Sequence, residues 1–221
     1  MYSQLKRGID VFVSILLLVV LSPIFLLTAL LIWLETGRGV IFRQKRIGRN
    51  GEVFEIYKFR SMYAGTEHTG SGVYSGKDDS RVTRVGKLIR AASIDEMPQL
   101  VNILKGDMSL IGPRPPLTYH PWPYEEYTPE QKRMFLVRPG VTGWAQVHGR
   151  KAVEWNERIR LNVWYVEHMS LGLDIRIFFL TILRVLQMKD NYNVQKTVAA
   201  ERPGQGSIGV KEIAQANVHN E

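Results

Sequence analysis

The sequence predicts a mixed α/β protein, mostly helical, with an N-terminal re-entrant membrane helix-break-helix ahead of a small domain. That domain should carry a short β-hairpin and interfacial amphipathic helices. Three observations predict this. An apolar run from Ile9 to Leu34 is broken at Ser22-Pro23, an Asn50-Gly51 turn signal separates strand-like segments, and apolar residues recur at helical spacing further on. The chain divides into residues 1–35 (membrane hairpin), 36–190 (the domain) and 191–221 (a C-terminal tail). Of 221 residues, the ~185 outside the membrane segment suffice for one domain with its own core.

The apolar run carries only Asp10 as a charge. At roughly 1.5 Å per residue it reaches about 39 Å, enough to cross a hydrocarbon core of ~30 Å. Proline lacks an N–H and its ring clashes with the preceding turn, so Pro23 should bend the helix. Ser22 can offer its hydroxyl to a carbonyl freed by the bend. Each leg alone then reaches only about 17–21 Å, too short to span. Lys6 and Arg7 precede the run, and Arg38, Arg43, Lys45, Arg46 and Arg49 follow it. Cytoplasmic flanks are the ones rich in Lys and Arg, and here neither flank is poor. The pattern favours a hairpin returning to the cytoplasmic face over a kinked single-pass helix. The stretch is too long for a signal-peptide core and lacks a small-x-small cleavage site.

Further elements follow from local pattern. Gly39–Phe42 and Glu52–Phe59 predict the two strands of a hairpin around Asn50-Gly51. Ala64–Asp79, rich in Gly, Ser and Thr, predicts a loop. Helices are expected over Ser80–Ala91 and over Met97–Lys105, the second stopping at Gly106. Prolines 113, 115, 116, 121, 123 and 129 predict an extended, irregular segment. Helices should follow at Pro129–Val137, Ala152–Ser170 and Leu173–Met188. The last has Arg176, Arg184 and Lys189 beside an apolar face, fitting either the membrane interface or a packed core. From Ala200 the composition predicts a loosely ordered tail.

Lys plus Arg number 29 against 21 acids, a net charge of +8. Beside a membrane anchor this balance points to anionic headgroups or a phosphate-bearing substrate, and no nucleic-acid motif is present. Cysteine is absent, which excludes disulfides, thiolate catalysis and Cys-ligated zinc. His68, His120, His148, His168 and His219 show no zinc spacing.

The chemistry-bearing candidates centre on Ser93-Ile94-Asp95-Glu96-Met97-Pro98. One reading is structural: Ser93 and Glu96 fit a capping box, with acids complementing a helix start. The other takes Pro98 as the first helical turn, which places Asp95 and Glu96 just before the helix, where phosphate also binds well. Lys58, Arg90, Arg114, Arg138 and Arg150 supply cations around it. Arg114 is stiffened by Pro113 and Pro115, and arginine can fork onto phosphate.

Five segments together resemble the monotopic phosphoglycosyl transferases, also called bacterial sugar transferases. They are KRGIDVFVSILLLVVLSPIF, VIFRQKRIGRNGEVFEIYKFRSM, IDEMPQLVNILKGDMSLIGPRP, RPGVTGWAQVHGR and WYVEHMSLGLDIRIFFLTI. They follow family order and run to about residue 190. The resemblance implies the minimal form, transferring a sugar 1-phosphate from a UDP-sugar to a polyprenyl (undecaprenyl) phosphate with Mg²⁺, and releasing UMP. It implies that Asp95 is the nucleophile of a covalent phosphosugar intermediate and that Glu96, with Asp95, helps hold Mg²⁺. It implies that Arg90 and Arg114 bind phosphate, with Lys58, Gln146 and Arg150 as further carry-overs. Ser22-Pro23 matches the family's re-entrant break. One departure is His148 in QVHGR, where the family often shows Asn. The expected partners are the UDP-sugar, the polyprenyl phosphate, membrane lipid, downstream glycosyltransferases and a second copy of the chain. The expected location is the cytoplasmic face of the bacterial inner membrane. Two rival readings are a direct-displacement glycosyltransferase using Asp78 and Asp79 as a metal pair, and a non-enzymatic membrane-anchored assembly protein.

Overall fold

The computed structural model describes residues 2–66, 79–148 and 154–186. The chain opens with α1 (Tyr2–Val20) and α2 (Ser22–Thr36), bent by 62° at Leu21. Neither helix alone is long and apolar enough to cross a membrane; the bent pair together is, by length and composition. The break has a local cause. Pro23 sits in the first turn of α2 and cannot donate to the carbonyl four residues back, which is that of Val19. The Ser22 hydroxyl donates to that oxygen at 2.8 Å. On either side the ladder continues, from Leu21 N to Leu17 O at 2.9 Å and from Phe25 N to Leu21 O at 3.0 Å.

This helix pair is inside-out. Phe12, Val19, Leu26 and Leu34 are 65–72 % exposed, whereas Asp10, Ser14 and Thr28 are buried against the rest of the protein. Asp10 Oδ1 accepts from the Leu110 N–H at 3.1 Å. The cations of the N-terminal flank also point inward. Arg7 donates to the carbonyls of Ile103 (2.6 Å) and Leu104 (3.2 Å), capping the end of a later helix, and Lys6 binds Asp174. Their positive charge is therefore structural, besides any topological bias it carries.

Strands β1 (Ile41–Ile47) and β2 (Val53–Phe59) pair antiparallel from Ile41↔Phe59 to Ile47↔Val53. The turn uses Asn50 at φ 56° and Gly51 at φ 84°, as the Asn-Gly signal predicts. The first strand runs on to Ile47 rather than ending at Phe42. Exposed Arg43 and Lys45 alternate with more enclosed Phe42, Gln44 and Arg46, so charge conceals the period of two.

Helix α3 covers Arg84–Ala91, starting four residues later than expected because Thr83 is its cap and accepts from Gly86 N. Glu35, on α2, also accepts from Arg84 N and Val85 N at 2.7 and 3.0 Å. This joins α2 to the start of α3. Helix α4 (Gln99–Lys105) ends at Gly106, φ 96°, as read from the sequence. Between Gly106 and the proline-rich segment, where the sequence predicts no element, lies β3 (Ser109–Ile111), which pairs in parallel with β4 (Gly140–Thr142). The helix expected over Pro129–Val137 is shorter: α5 (Pro129–Lys132) passes into a 3₁₀ turn at Arg133–Phe135. Then come the single turn α6 (Trp144–Val147), α7 (Trp155–His168) and α8 (Leu171–Leu186). Helix α8 buries Ile177 completely and leaves Phe179 60 % exposed, so one face packs on the core while an apolar face stays open. Most of the Gly/Ser-rich loop, His68, the tail with His219, Asp78 and Arg150 lie outside the described residues.

Candidate functional site

Asp95 and Glu96 sit in a 3₁₀ turn, Ile94–Glu96, between α3 and α4. Ser93 adopts φ 59°, which swings the chain out of α3, and its side chain caps nothing. The expected capping box is therefore absent. Its other half fails too, because the Glu96 carboxylate is engaged elsewhere. Pro98 is the N-cap residue of α4, so both acids stand just ahead of that helix, as the alternative reading holds.

Glu96 Oε1 accepts from Lys58 Nζ and from Arg114 Nη2, both at 2.7 Å, and Oε2 accepts from Arg114 Nη1 at 3.3 Å. Lys58 comes from β2, a strand fixed by its seven-residue pairing with β1. Arg114 comes from Pro113-Arg114-Pro115-Pro116, where proline rings hold φ. The side chains of Lys58 and Glu96 are 15 % and 20 % exposed. Burial favours the neutral acid, but the charges and hydrogen bonds of Arg114 and Lys58 win and hold Glu96 well below the usual carboxylate range. Burial pulls Lys58 down; Glu96 opposes this, while Arg114 and Arg46 reinforce it. The Glu96 carboxylate raises Arg114. Asp95 lies in the same field, favouring the charged forms of both Lys58 and Arg114.

Of the other residues singled out, Arg90 is half-buried at the end of α3, one turn from Ser93, and its side chain has no ion-pair partner among the described residues. Gln146, on α6, packs against Gly143 with both amide atoms buried and without a hydrogen-bond partner among the described residues. No hydrogen bond among the described residues joins it to Glu96. The Asp79 carboxylate accepts from the Arg81 backbone N–H at 3.0 Å, from its Nε at 2.8 Å and from its Nη2 at 2.6 Å. In the sequence Arg46 belongs to the basic flank that follows the apolar run, and nothing local to it marks it as a site residue. Arg46 is enclosed near Arg114 and Glu96, and burial with Arg114's charge lowers it to about 10. Only its enclosure is signalled, by the period of two in β1, which puts Arg46 on the enclosed face with Gln44.

Two adjacent carboxylates beside three cations can hold a phosphate ester and present an oxygen nucleophile to it. Comparison with known proteins fixes the family. A family profile described as "Bacterial sugar transferase" matches residues 1–188. The chain belongs to that family of sugar-phosphate transferase enzymes. It is 42 % identical over 205 residues to "Uncharacterized sugar transferase EpsL" of Bacillus subtilis (strain 168), covering 92 % of this chain and 98 % of that one. It is 44 % identical over 188 residues to the UDP-N-acetylgalactosamine-undecaprenyl-phosphate N-acetylgalactosaminephosphotransferase of Aeromonas hydrophila. That match covers 84 % of this chain but only 44 % of the relative, so the chain spans under half its length. A UDP-glucose:undecaprenyl-phosphate glucose-1-phosphate transferase of Caulobacter vibrioides (strain ATCC 19089 / CIP 103742 / CB 15) is 42 % identical over 192 residues, with coverage of 85 % and 72 %. Membership in an enzyme family removes the non-enzymatic anchor from consideration.

Proposed function

We propose that this chain transfers a sugar 1-phosphate from a UDP-sugar to undecaprenyl phosphate on the cytoplasmic face of the bacterial membrane, opening the assembly of a membrane-linked polysaccharide. Residues 1–35 form the re-entrant hairpin, 36–190 the catalytic domain and 191–221 the tail. The observation that carries the reading is Glu96, held ionised by Lys58 and Arg114 in a half-enclosed turn that also bears Asp95.

In this reading the Asp95 carboxylate attacks the sugar-proximal phosphorus. The bond from that phosphorus to the bridging oxygen breaks, its electron pair leaves with UMP, and the phosphosugar stays on Asp95 as an acyl phosphate. An oxygen of undecaprenyl phosphate then attacks the same phosphorus, which breaks the acyl-phosphate bond and frees Asp95. Arg114 and Lys58 would hold the charge that builds on the phosphoryl oxygens, and Arg90 would meet the second phosphate. Glu96 keeps those two cations in register. Gln146 and Arg150 belong to the same reading as further substrate contacts.

The residues present fit Mg²⁺. Among the described residues no three of His, Asp and Glu converge, but Mg²⁺ commonly takes one or two carboxylates together with substrate phosphates and water. Asp95 would supply one carboxylate, and Glu96 Oε2, whose bond among the described residues is the one at 3.3 Å, would supply the other. Bound there, Mg²⁺ would neutralise charge on the diphosphate.

The inside-out helix pair supports the membrane placement. Apolar side chains that face outward while polar ones face the protein suit a lipid surrounding. An undecaprenyl chain keeps its phosphate at the bilayer surface, where a hairpin entering one leaflet can meet it. The test is UMP release by the full chain in lipid nanodiscs across a panel of UDP-sugars with undecaprenyl phosphate. Release with at least one donor, lost in Asp95→Asn, is expected; silence with every donor would overturn the proposal. Cysteines placed at Ser3 and Arg38 should both label from the cytoplasmic side, and labelling from opposite sides would reject the hairpin.

A further inference from the structure

Proline-rich segments create a specific anchoring problem. Pro113, Pro115 and Pro116 have no N–H, so the stretch carrying Arg114 is tethered mainly through its carbonyls. Each has a donor. Gly140 N serves Pro113 O at 2.9 Å, Ile47 N serves Pro116 O at 3.1 Å, and the Arg46 guanidinium serves Pro115 O through Nη1 at 3.1 Å. The first two donors are backbone atoms that most substitutions leave in place. The carbonyl directly after Arg114 alone depends on a side chain.

We infer that Arg46 is a positioning residue for the transfer reaction, fixing the Arg114 guanidinium against Glu96 by holding the Pro115 carbonyl. Gln44, two residues earlier on the same face of β1, steadies Arg46 by accepting from Nη2 at 2.6 Å. The backbone of β1 reaches the same stretch, since Arg46 and Leu117 form an isolated bridge. Arg46 Nε is buried with no hydrogen-bond partner among the described residues. Enclosing a guanidinium beside the like charges of Arg114 and Lys58 is costly. An enclosed cation becomes favourable when Glu96 and an incoming diphosphate share its field. This inference rests on the reading of Arg114 as a phosphate-holding residue.

The experiment is a double-mutant cycle on the full chain in nanodiscs, reading kcat and donor KM separately with thermal unfolding as a control. Arg46→Gln should lower kcat by about 100-fold, the usual cost of a misplacement near 1 Å, with donor KM moving less than about threefold. In an Arg114→Gln background the same change should cost less than about threefold more, because the two act as one unit. Gln44→Met, a milder change that leaves the guanidinium in place, should lower kcat by roughly tenfold in the native background and not at all beside Arg46→Gln. Arg46→Lys, which keeps the charge and one donor, should recover part of the loss. Losses that multiply across the cycle, or Arg46→Gln and Gln44→Met both matching the native enzyme while Arg114→Gln is inactive, would overturn the inference. Full activity in Arg114→Gln would instead overturn the functional reading on which it rests.

Discussion

Two enclosed carboxylates hold this molecule together in opposite ways. Asp174, on α8, is 7 % exposed and takes the hydroxyls of Tyr2 and Tyr165 with the ammonium of Lys6. Its donors come from α1 and α7, so one side chain stitches the first turn of the chain to its last described helices. Glu96 takes only cations, Lys58 and Arg114, and keeps a neighbouring acid and a more open side. A carboxylate matched by hydroxyls and one charge closes a fold. One crowded by cations beside a second carboxylate holds a field ready for another anion. The comparison teaches that burial alone does not separate a structural acid from a functional one; the chemistry of the partners does.

The largest expected effect falls on the open side. Glu96→Gln should lower kcat/KM by about 10³-fold in the UMP-release assay among molecules that remain folded, over and above the stability it loses with the ionised carboxylate. Partial activity with a large loss of stability would make Glu96 resemble Asp174. Asp174→Asn should do the reverse, costing about 3 kcal/mol of stability in denaturant unfolding while folded molecules keep their turnover. Acid titration sharpens the contrast. Glu96 has a folded pKa below its unfolded value, so its stabilisation is complete above the unfolded value and fades as pH falls through the folded one. The stability gap between native protein and Glu96→Gln should therefore stay flat from pH 8 to about 5 and shrink only in stronger acid.

Smaller effects test the supports. Arg7→Met should cost about 1–2 kcal/mol by uncapping α4 at Ile103 and Leu104, read as a lowered unfolding midpoint with little change in kcat. Ser22→Ala should cost no more than about 1 kcal/mol, because it strips one partner from the Val19 carbonyl while Pro23 still bends the chain.

Sequence pattern revealed the features that depend on near neighbours. The break at Ser22-Pro23, the Asn50-Gly51 turn and the Gly106 helix stop each follow from a residue's own backbone preference. The cationic pair on Glu96 was half legible: the residue types and the stiff prolines were visible, the meeting of Lys58 with Arg114 was not. The rest depends on distant partners. Ser109–Ile111 becomes a strand only because Gly140–Thr142 lies beside it, and three residues carry too little periodicity to show this. Lys6, Arg7 and Arg46 read as flanking charge, whereas tertiary structure sends each to a specific acceptor. Ser93 and Glu96 had the spacing of a capping box, but two cations from elsewhere outcompete one backbone N–H for the carboxylate.

The most direct test is intact-protein mass spectrometry of the full chain after incubation with a turned-over UDP-sugar and Mg²⁺, with no lipid acceptor. The account predicts a mass increase of one sugar phosphate that maps to Asp95, accompanied by UMP, and chased off by undecaprenyl phosphate. UMP formation that strictly requires the acceptor, with no adduct at any time, would contradict it.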